Sequence, residues 1–439
     1  MSVLLNISEG YMNLLETKNL LENNGQKLLE ELYGKAGISD NLKRYKGILD
    51  GFEKQFGQRD VSLFSSPGRT EISGNHTDHN NGKVLGGSIN LDCIAVAAVN
   101  DSDQVNIVSE SFSQKFKVNI NDIEPGVDKI GTVELLKGIL AGFRERGANI
   151  GGFDAYITSN VISSAGVSSS AAFETLICQI INTLFNEGKL SKTDYAYIGK
   201  YAENNYWDKA SGLLDQMCCA YGGLISIDFK NPDVPKVEGI DFDFAAAAHD
   251  LIIVQTGRGH ADLSADYSSI PNEMKKVAKY FDKATLSEVD EEEFYKNLSK
   301  IRKFAGDRAI LRSIHFFDEN RRVENEVSAL ASNDFDTFLK NITDSGNSSW
   351  KYLQNVYTNA APNEQGITVA LALSERFLKE KQVGATRVHG GGFAGVIMAM
   401  IPESYSDEYI TYMDKFLGKG SCYKMKIRPY GSICLNDLI

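Results

Sequence analysis

The sequence has no surplus of positive charge. Its 46 Lys and Arg stand against 58 Asp and Glu, a formal net charge of −12. A chain of that balance is a poor general partner for nucleic acid or an anionic membrane, whose phosphates reward cationic surface. Small nucleotides need only local donors, so they stay open to it. The six cysteines (Cys93, Cys178, Cys218, Cys219, Cys422 and Cys434) form no C-x-x-C pair, and most sit in apolar runs. That argues against zinc or disulfides and for buried thiols in a reducing compartment. No basic region followed by an apolar core opens the chain. The longest charge-free stretch, residues 155–173, is too rich in Ser, Asn and Gly to span a bilayer. A cytoplasmic protein with no nucleic-acid or membrane partner is expected. Repeats and low-complexity linkers are also missing, so the two or three domains that 439 residues allow should pack against one another.

Hydrophobic periodicity supplies the elements. Leucines 14, 15, 20, 21, 28, 29 and 32 mark a helical segment that stops at Gly34, an N-terminal extension over residues 1–35, with strands expected after it. Asn81-Gly82 is a hairpin-type turn signal, and residues 93–99 form the apolar run of a buried strand. Residues 112–120 alternate as a half-buried strand. Helices are expected over 133–146, 170–187, 191–207 and 213–221, with strands over 153–162 and 224–229. A second block starts near residue 240, with a strand over 251–255 and helices over 270–284, 291–308, 320–331 and 364–382. Residues 387–400 read as strand, glycine loop and strand, and 423–429 as a last strand. Strands and helices without strict alternation indicate α+β layers.

Four clusters carry chemistry. The run Gly68-Arg69-Thr70-Glu71-Ile72-Ser73-Gly74-Asn75-His76-Thr77-Asp78-His79 crowds Arg, His and Asp among turn-formers, the composition of a pocket that reads a polyhydroxylated molecule. Ser164-Ala165-Gly166-Val167-Ser168-Ser169-Ser170-Ala171 precedes a helix; small residues let backbone N–H groups approach an anion, and the helix dipole favours it there. A hydroxyl at that helix start could reach a Mg²⁺ between phosphates. No Lys follows the glycine, so this is not a Walker A loop. His389 through Gly395 holds four glycines between strands, more than a hairpin needs. Glu203 and Asp215 are acids inside helical, largely apolar surroundings, and Asp215 beside Arg69 could act as a general base. His76 and His79 could suggest zinc, but the segment is turn-rich and no third spaced ligand follows.

Taken in order, these segments resemble the GHMP kinase superfamily, and within it the galactokinase branch. Arg69 through His79 looks like the galactokinase signature, Gly166 through Ala172 like the superfamily's phosphate loop, and Gly390 through Gly395 like its third motif. Gly212-Leu213-Leu214-Asp215 resembles the segment bearing the catalytic aspartate. The resemblance, from about residue 60 onward, implies a two-domain α+β fold. The first domain, of the ribosomal protein S5 type, would span residues 36–239. A ferredoxin-like domain over 240–439 would follow, its final strand returning to the first, with the active site between them. It implies an ATP-dependent kinase phosphorylating galactose at C1, with Asp215 and Arg69 catalytic. Asn75, His76, Asp78, Gly212 and Tyr267 would bind the sugar. Ser164, Ala165, Gly166, Val167, Ser168, Ser169, Ser170 and Ala171 would bind the nucleotide, and Ser170 and Glu203 would hold Mg²⁺. A monomer or weak dimer is expected.

The chain departs from that pattern in places. Asn75 stands where galactokinases carry a Glu, His79 replaces a Tyr, and Ile162 and Ser164 replace the usual Pro and Gly of the loop. Thr132 stands near a Trp that many relatives place against adenine. Because an amide does not repel an acidic sugar, galacturonate is the alternative substrate. A sugar-sensing regulator that has lost catalysis is the other alternative.

Overall fold

The computed structural model describes residues 12–111, 113–162, 166–207, 212–244, 246–257 and 263–439. Two long strands, Asp60–Ser73 and Lys83–Val99, form the spine of a nine-stranded sheet among the described residues. Both are buried along almost their whole length, which explains the near-continuous apolar run at residues 93–99. The spine continues through Phe153–Ser159, Gln104–Ser109 and Gln114–Asn119. The Gln104–Ser109 and Phe153–Ser159 strands run parallel, and the helix Thr132–Glu145 lies in the connection between them. Leu224–Asp228 pairs with the near end of Lys83–Val99, at residues 83–87.

The expected hairpin turn at Asn81-Gly82 is only the end of a longer excursion. Residues 74–82 separate the two spine strands, with a short 3-10 turn at Asp78–Asn80 and Asn81 in the left-handed region at φ 58°. The helix Ser169–Asn186 is buried on most sides, as the mean apolarity of its sequence requires. It packs between the spine and the helices Lys192–Tyr206 and Leu214–Tyr221.

A second sheet has four antiparallel strands, in the order Ala385–His389, Val396–Pro402, His249–Gln255 and Cys422–Met425. Helices surround it, including Asp307–Ala331, Gly366–Lys381 and two that the periodicity had not indicated, Phe335–Ser348 and Glu403–Leu417. The mixed layers are those of the two-domain α+β fold. No helix of the described residues is long and apolar enough to cross a membrane.

The chain then returns. Ile427 bridges Ile89, and Ile433–Cys434 pairs with Asp60–Ser73. At the N-terminal end, three helices rather than one helical segment cover the outer face of the large sheet: Leu14–Asn23, Gln26–Tyr33 and Ile38–Phe56. The third occupies residues where strands were expected; its Tyr45, Ile48, Leu49 and Phe52 recur at helical spacing and are wholly buried.

Asp92 ties these ends together. Wholly buried on the spine, it accepts from Arg44 of the third helix at 2.9 Å and from Arg428 of the returning tail at 3.1 Å. Ser65 and Tyr33 also donate to it. Burial works to raise the Asp92 carboxyl, but the two guanidinium groups hold it below its ordinary pKa. Its stabilising contribution is therefore complete above pH of about 4 and fades as acid protonates it. Asp92→Asn leaves two guanidinium groups without their counter-charge, and a loss of about 3 kcal/mol or more is expected from urea unfolding at neutral pH.

Candidate active site

Three distant segments converge on one cleft. On the strand Asp60–Ser73, Arg69 and Glu71 are two residues apart and so share a face. Irregularities in the pairing between Pro67 and Arg69, and again between Glu71 and Ser73, bracket them and re-aim that face. Gly68 allows the strand to press on the second segment. A Cβ there would lie 2.6 Å from the Val167 carbonyl oxygen, and the Arg69 N–H donates to the same oxygen at 3.1 Å.

The second segment turns into the helix Ser169–Asn186. Gly166 has φ 66°, and Ser168, although it carries a side chain, is left-handed at φ 58° and ψ 64°. Such a conformation costs about 1 kcal/mol or more, and the Ser168 hydroxyl donates to Oδ2 of Asp215 in that position. Val167 and Ala171 are wholly buried, leaving only their backbone to a ligand. Ser169 and Ser170 open the helix, whose leading N–H groups lack intrahelical acceptors. Ser164 and Ala165, expected in the same cradle, lie outside the described residues.

The third segment is the first turn of Leu214–Tyr221, which carries Asp215. Its Oδ1 accepts from Nε of Arg69 at 2.7 Å, while Nη1 of Arg69 donates to the Gly166 carbonyl. Burial opposes the Arg69 charge, but Asp215 beside it keeps the guanidinium pKa above its ordinary value. Next to this pair, Ser170 donates to Oε1 of Glu203 at 3.1 Å. Gln216, not foreseen, donates to Oε2 of Glu203 at 3.1 Å and to Glu174 at 3.0 Å. A hydroxyl at a helix start and a carboxylate from the last turn of Lys192–Tyr206 beside it form the hard oxygen set that Mg²⁺ takes.

A cavity of about 220 Å³ runs from Arg69, Asp215 and Glu203 to Glu71, His76, Asp78, Gly212 and Gly390-Gly391. His76 donates from Nε2 to the Gly391 carbonyl at 2.8 Å, which leaves Nδ1 as an acceptor; burial keeps the ring's pKa below its ordinary value. Gly212 is the residue that clears Asp78, whose Oδ2 would lie 3.0 Å from a Cβ there. Tyr267 stands behind the glycine end of the cavity. Its hydroxyl donates to the Gly392 carbonyl at 2.9 Å and its ring packs on Gly391 and edge-on to Phe393, so it buttresses the glycine turn.

Asn75 is the largest surprise. Its Nδ2 donates to Glu71 at 2.9 Å and to the Gly390 carbonyl at 2.8 Å, and its Oδ1 accepts from Asn355 at 2.7 Å and Ser349 at 3.4 Å. Asn75 borders the cavity, yet it is only 1% exposed and its amide is hydrogen-bonded to protein at both its oxygen and its nitrogen.

A second layer from the other domain holds this loop. Oε1 of buried Glu319 accepts from the Gly74 N–H at 3.0 Å and from Ser73 and Ser345, and its Oε2 from Arg322 at 2.7 Å. His315 bonds the Asn75 carbonyl at 2.9 Å and Ser348 at 2.9 Å. A carbonyl can only accept, so Nε2 carries the proton and the neutral ring accepts at Nδ1. Burial pushes its pKa down to about 4.

Beside Ser169 and Ser170 lies a separate, mostly apolar cavity of about 190 Å³, lined by Phe116, Thr132, Leu135, Phe173 and Trp207. Thr132 does line it, and Trp207 brings an indole to the same space from another helix end. No motif marked Trp207 in the sequence.

Comparison with known proteins agrees with this geometry. Residues 50–99 match the galactokinase galactose-binding signature, and residues 134–223 match the GHMP kinase N-terminal domain. A galactokinase of Clostridium perfringens strain 13 is 29% identical over 372 residues, covering 82% of this chain and 90% of the relative. A galactokinase of Lacticaseibacillus casei strain BL23 is 26% identical over 393 residues, covering 87% and 94%. Among solved structures, Lactococcus lactis galactokinase complexed with galactose superposes with a TM-score of 0.75 at 24% identity, covering 89% of this chain and 99% of that one. A mevalonate kinase superposes at 0.58 with 16% identity, over 83% and 98%.

The neutral His315 has a measurable consequence. Unfolded histidine takes up a proton near pH 6.5, whereas His315 in the folded chain resists until about pH 4. Its contribution to stability is complete above pH of about 6.5 and falls by up to about 3 kcal/mol as pH drops toward 4. Urea unfolding across this range should show that slope, and His315→Gln, which can still donate to the Asn75 carbonyl, should flatten it.

Proposed function

Because the chain belongs to the GHMP kinases and to their galactokinase branch, we propose that it is an ATP-dependent sugar 1-kinase that converts galactose to galactose 1-phosphate. The observation that carries this reading is the Arg69–Asp215 pair at 2.7 Å, set where the polar cavity meets the helix start. An acceptor hydroxyl in that cavity and a phosphoryl group over the helix N-terminus would meet at this pair.

Asp215, bonded at both carboxylate oxygens, suits the role of orienting the anomeric hydroxyl and taking its proton as the new P–O bond forms. Arg69 supplies positive charge beside the transferring phosphoryl group, where charge spreads over its oxygens. The leading N–H groups of Ser169–Asn186, with the backbone of Gly166, Val167 and Ser168, provide the phosphate cradle. Ser170 and Glu203 would hold Mg²⁺, which when bound neutralises the phosphate charge. The apolar cavity with Trp207 and Phe173 fits a nucleotide base. His76, Asp78 and Gly212 line the sugar side.

The test is phosphoryl transfer from ATP across a sugar panel, followed by nucleotide release in a coupled assay. Galactose should be the preferred neutral hexose, with phosphate at C1. Asp215→Ala should lose about a hundredfold or more in kcat, with the sugar still bound in calorimetry. Undiminished turnover in that variant would remove Asp215 from the chemistry. Galactose binding with no turnover in the unaltered protein would favour the sensor reading.

A further inference from the structure

Galactokinase signatures put a carboxylate at the position of Asn75, and the amide there left an acidic sugar open as substrate. In the structure that amide is committed to protein partners. All four hydrogen-bonding capacities of the Asn75 amide go to Glu71, Gly390, Asn355 and Ser349. None remains for a ligand. The cavity nevertheless has a carboxylate at this end, four residues earlier in the chain.

Glu71 lines the cavity on the same face of its strand as Arg69. Its Oε1 accepts from Asn75 at 2.9 Å and from the wholly buried Arg387 at 3.0 Å. Its Oε2 is bonded by no described residue and is not sealed off from the cavity. The side chain is thus fixed through one oxygen while the other is presented to the cavity. Arg387 is in turn anchored on the Ile72 carbonyl, so the carboxylate is held from behind by a rigid partner.

We infer that Glu71, and not Asn75, selects the sugar: its Oε2 accepts a hydroxyl of a neutral hexose, and its charge excludes a uronic acid. The inference rests on the sugar-kinase reading above. The surroundings strengthen it. Among the described residues, four carboxylates line the cavity (Glu71, Asp78, Glu203 and Asp215) against one guanidinium, Arg69, which is already paired. A sugar carboxylate entering there meets like charge and, among the described residues, no spare guanidinium or ammonium, a cost that a neutral hydroxyl does not incur.

Glu71→Gln is the discriminating change. The amide oxygen can keep both bonds made at Oε1, while an NH₂ donor replaces the acceptor facing the cavity. Turnover and equilibrium binding of galactose and galacturonate are measured at pH 8, where histidines are neutral. In the unaltered enzyme, galactose should be preferred by about a hundredfold or more. In Glu71→Gln the galactose KM should rise about tenfold with kcat little changed, and the preference should shrink by about tenfold or more. Glu71→Asp, which keeps the charge, should retain most of the preference, and it serves as the test if the Gln variant does not fold. Asn75→Ser should weaken both sugars together. An unchanged preference in Glu71→Gln, or a preference that moves with Asn75→Ser alone, overturns the assignment. If the unaltered protein transfers no phosphate but binds galactose with this dependence on Glu71, the kinase reading fails and the assignment of Glu71 stands.

Discussion

The ion pair between Arg69 and Asp215 is the constraint on which the cleft depends, because it joins a sheet strand to a helix start 146 residues away. Each partner also reaches the phosphate loop: Arg69 through the Gly166 carbonyl and Asp215 through the Ser168 hydroxyl. The loop's left-handed Ser168 is thereby tied to the pair. A buried charge pair is a weak source of net stability, but removing either partner leaves an uncompensated charge. The arrangement therefore favours one geometry for three segments at once, which is what pre-organised phosphoryl transfer needs.

The sugar side is held from outside by a second set of buried polar groups. Glu319 and His315 on the long helix Asp307–Ala331 grip the backbone of residues 74 and 75. Arg387 and His389, on one face of the strand Ala385–His389, grip Glu71. His389 accepts the Glu71 N–H at 3.2 Å and bonds the Thr70 hydroxyl at 3.0 Å through the same ring nitrogen. The signature loop thus takes its shape from the other domain, whose buried groups hold the backbone of residues 74 and 75 and the Glu71 carboxylate.

Much of this was legible in the sequence. Glycine positions and apolar periodicity marked the helix Ser169–Asn186 and the helix that opens at Ser191 almost to the residue. The pairing of Ser170 with Glu203 and of Arg69 with Asp215 followed from family motifs. The helix Ile38–Phe56 was missed although its apolar spacing is helical, because its polar face is mixed with glycines at 47 and 51. The hydrogen-bond partners of Asn75 and Glu71 could not be read in advance. They include Asn355, Ser349 and Arg387, which lie some 270 to 320 residues away and have no motif of their own. Trp207 escaped for a similar reason, since the described lining of its cavity comes from six strands and helices besides its own helix end.

The central claim is that Arg69 and Asp215 act as one unit at the point of transfer. A double-mutant cycle on kcat/KM for galactose, with Arg69→Met, Asp215→Asn and the double variant, tests it directly. If the pair is the unit, the double variant should be within about threefold of the slower single variant, as for groups that work only together. Losses that multiply, each change costing its full factor whether or not the other is present, would contradict it.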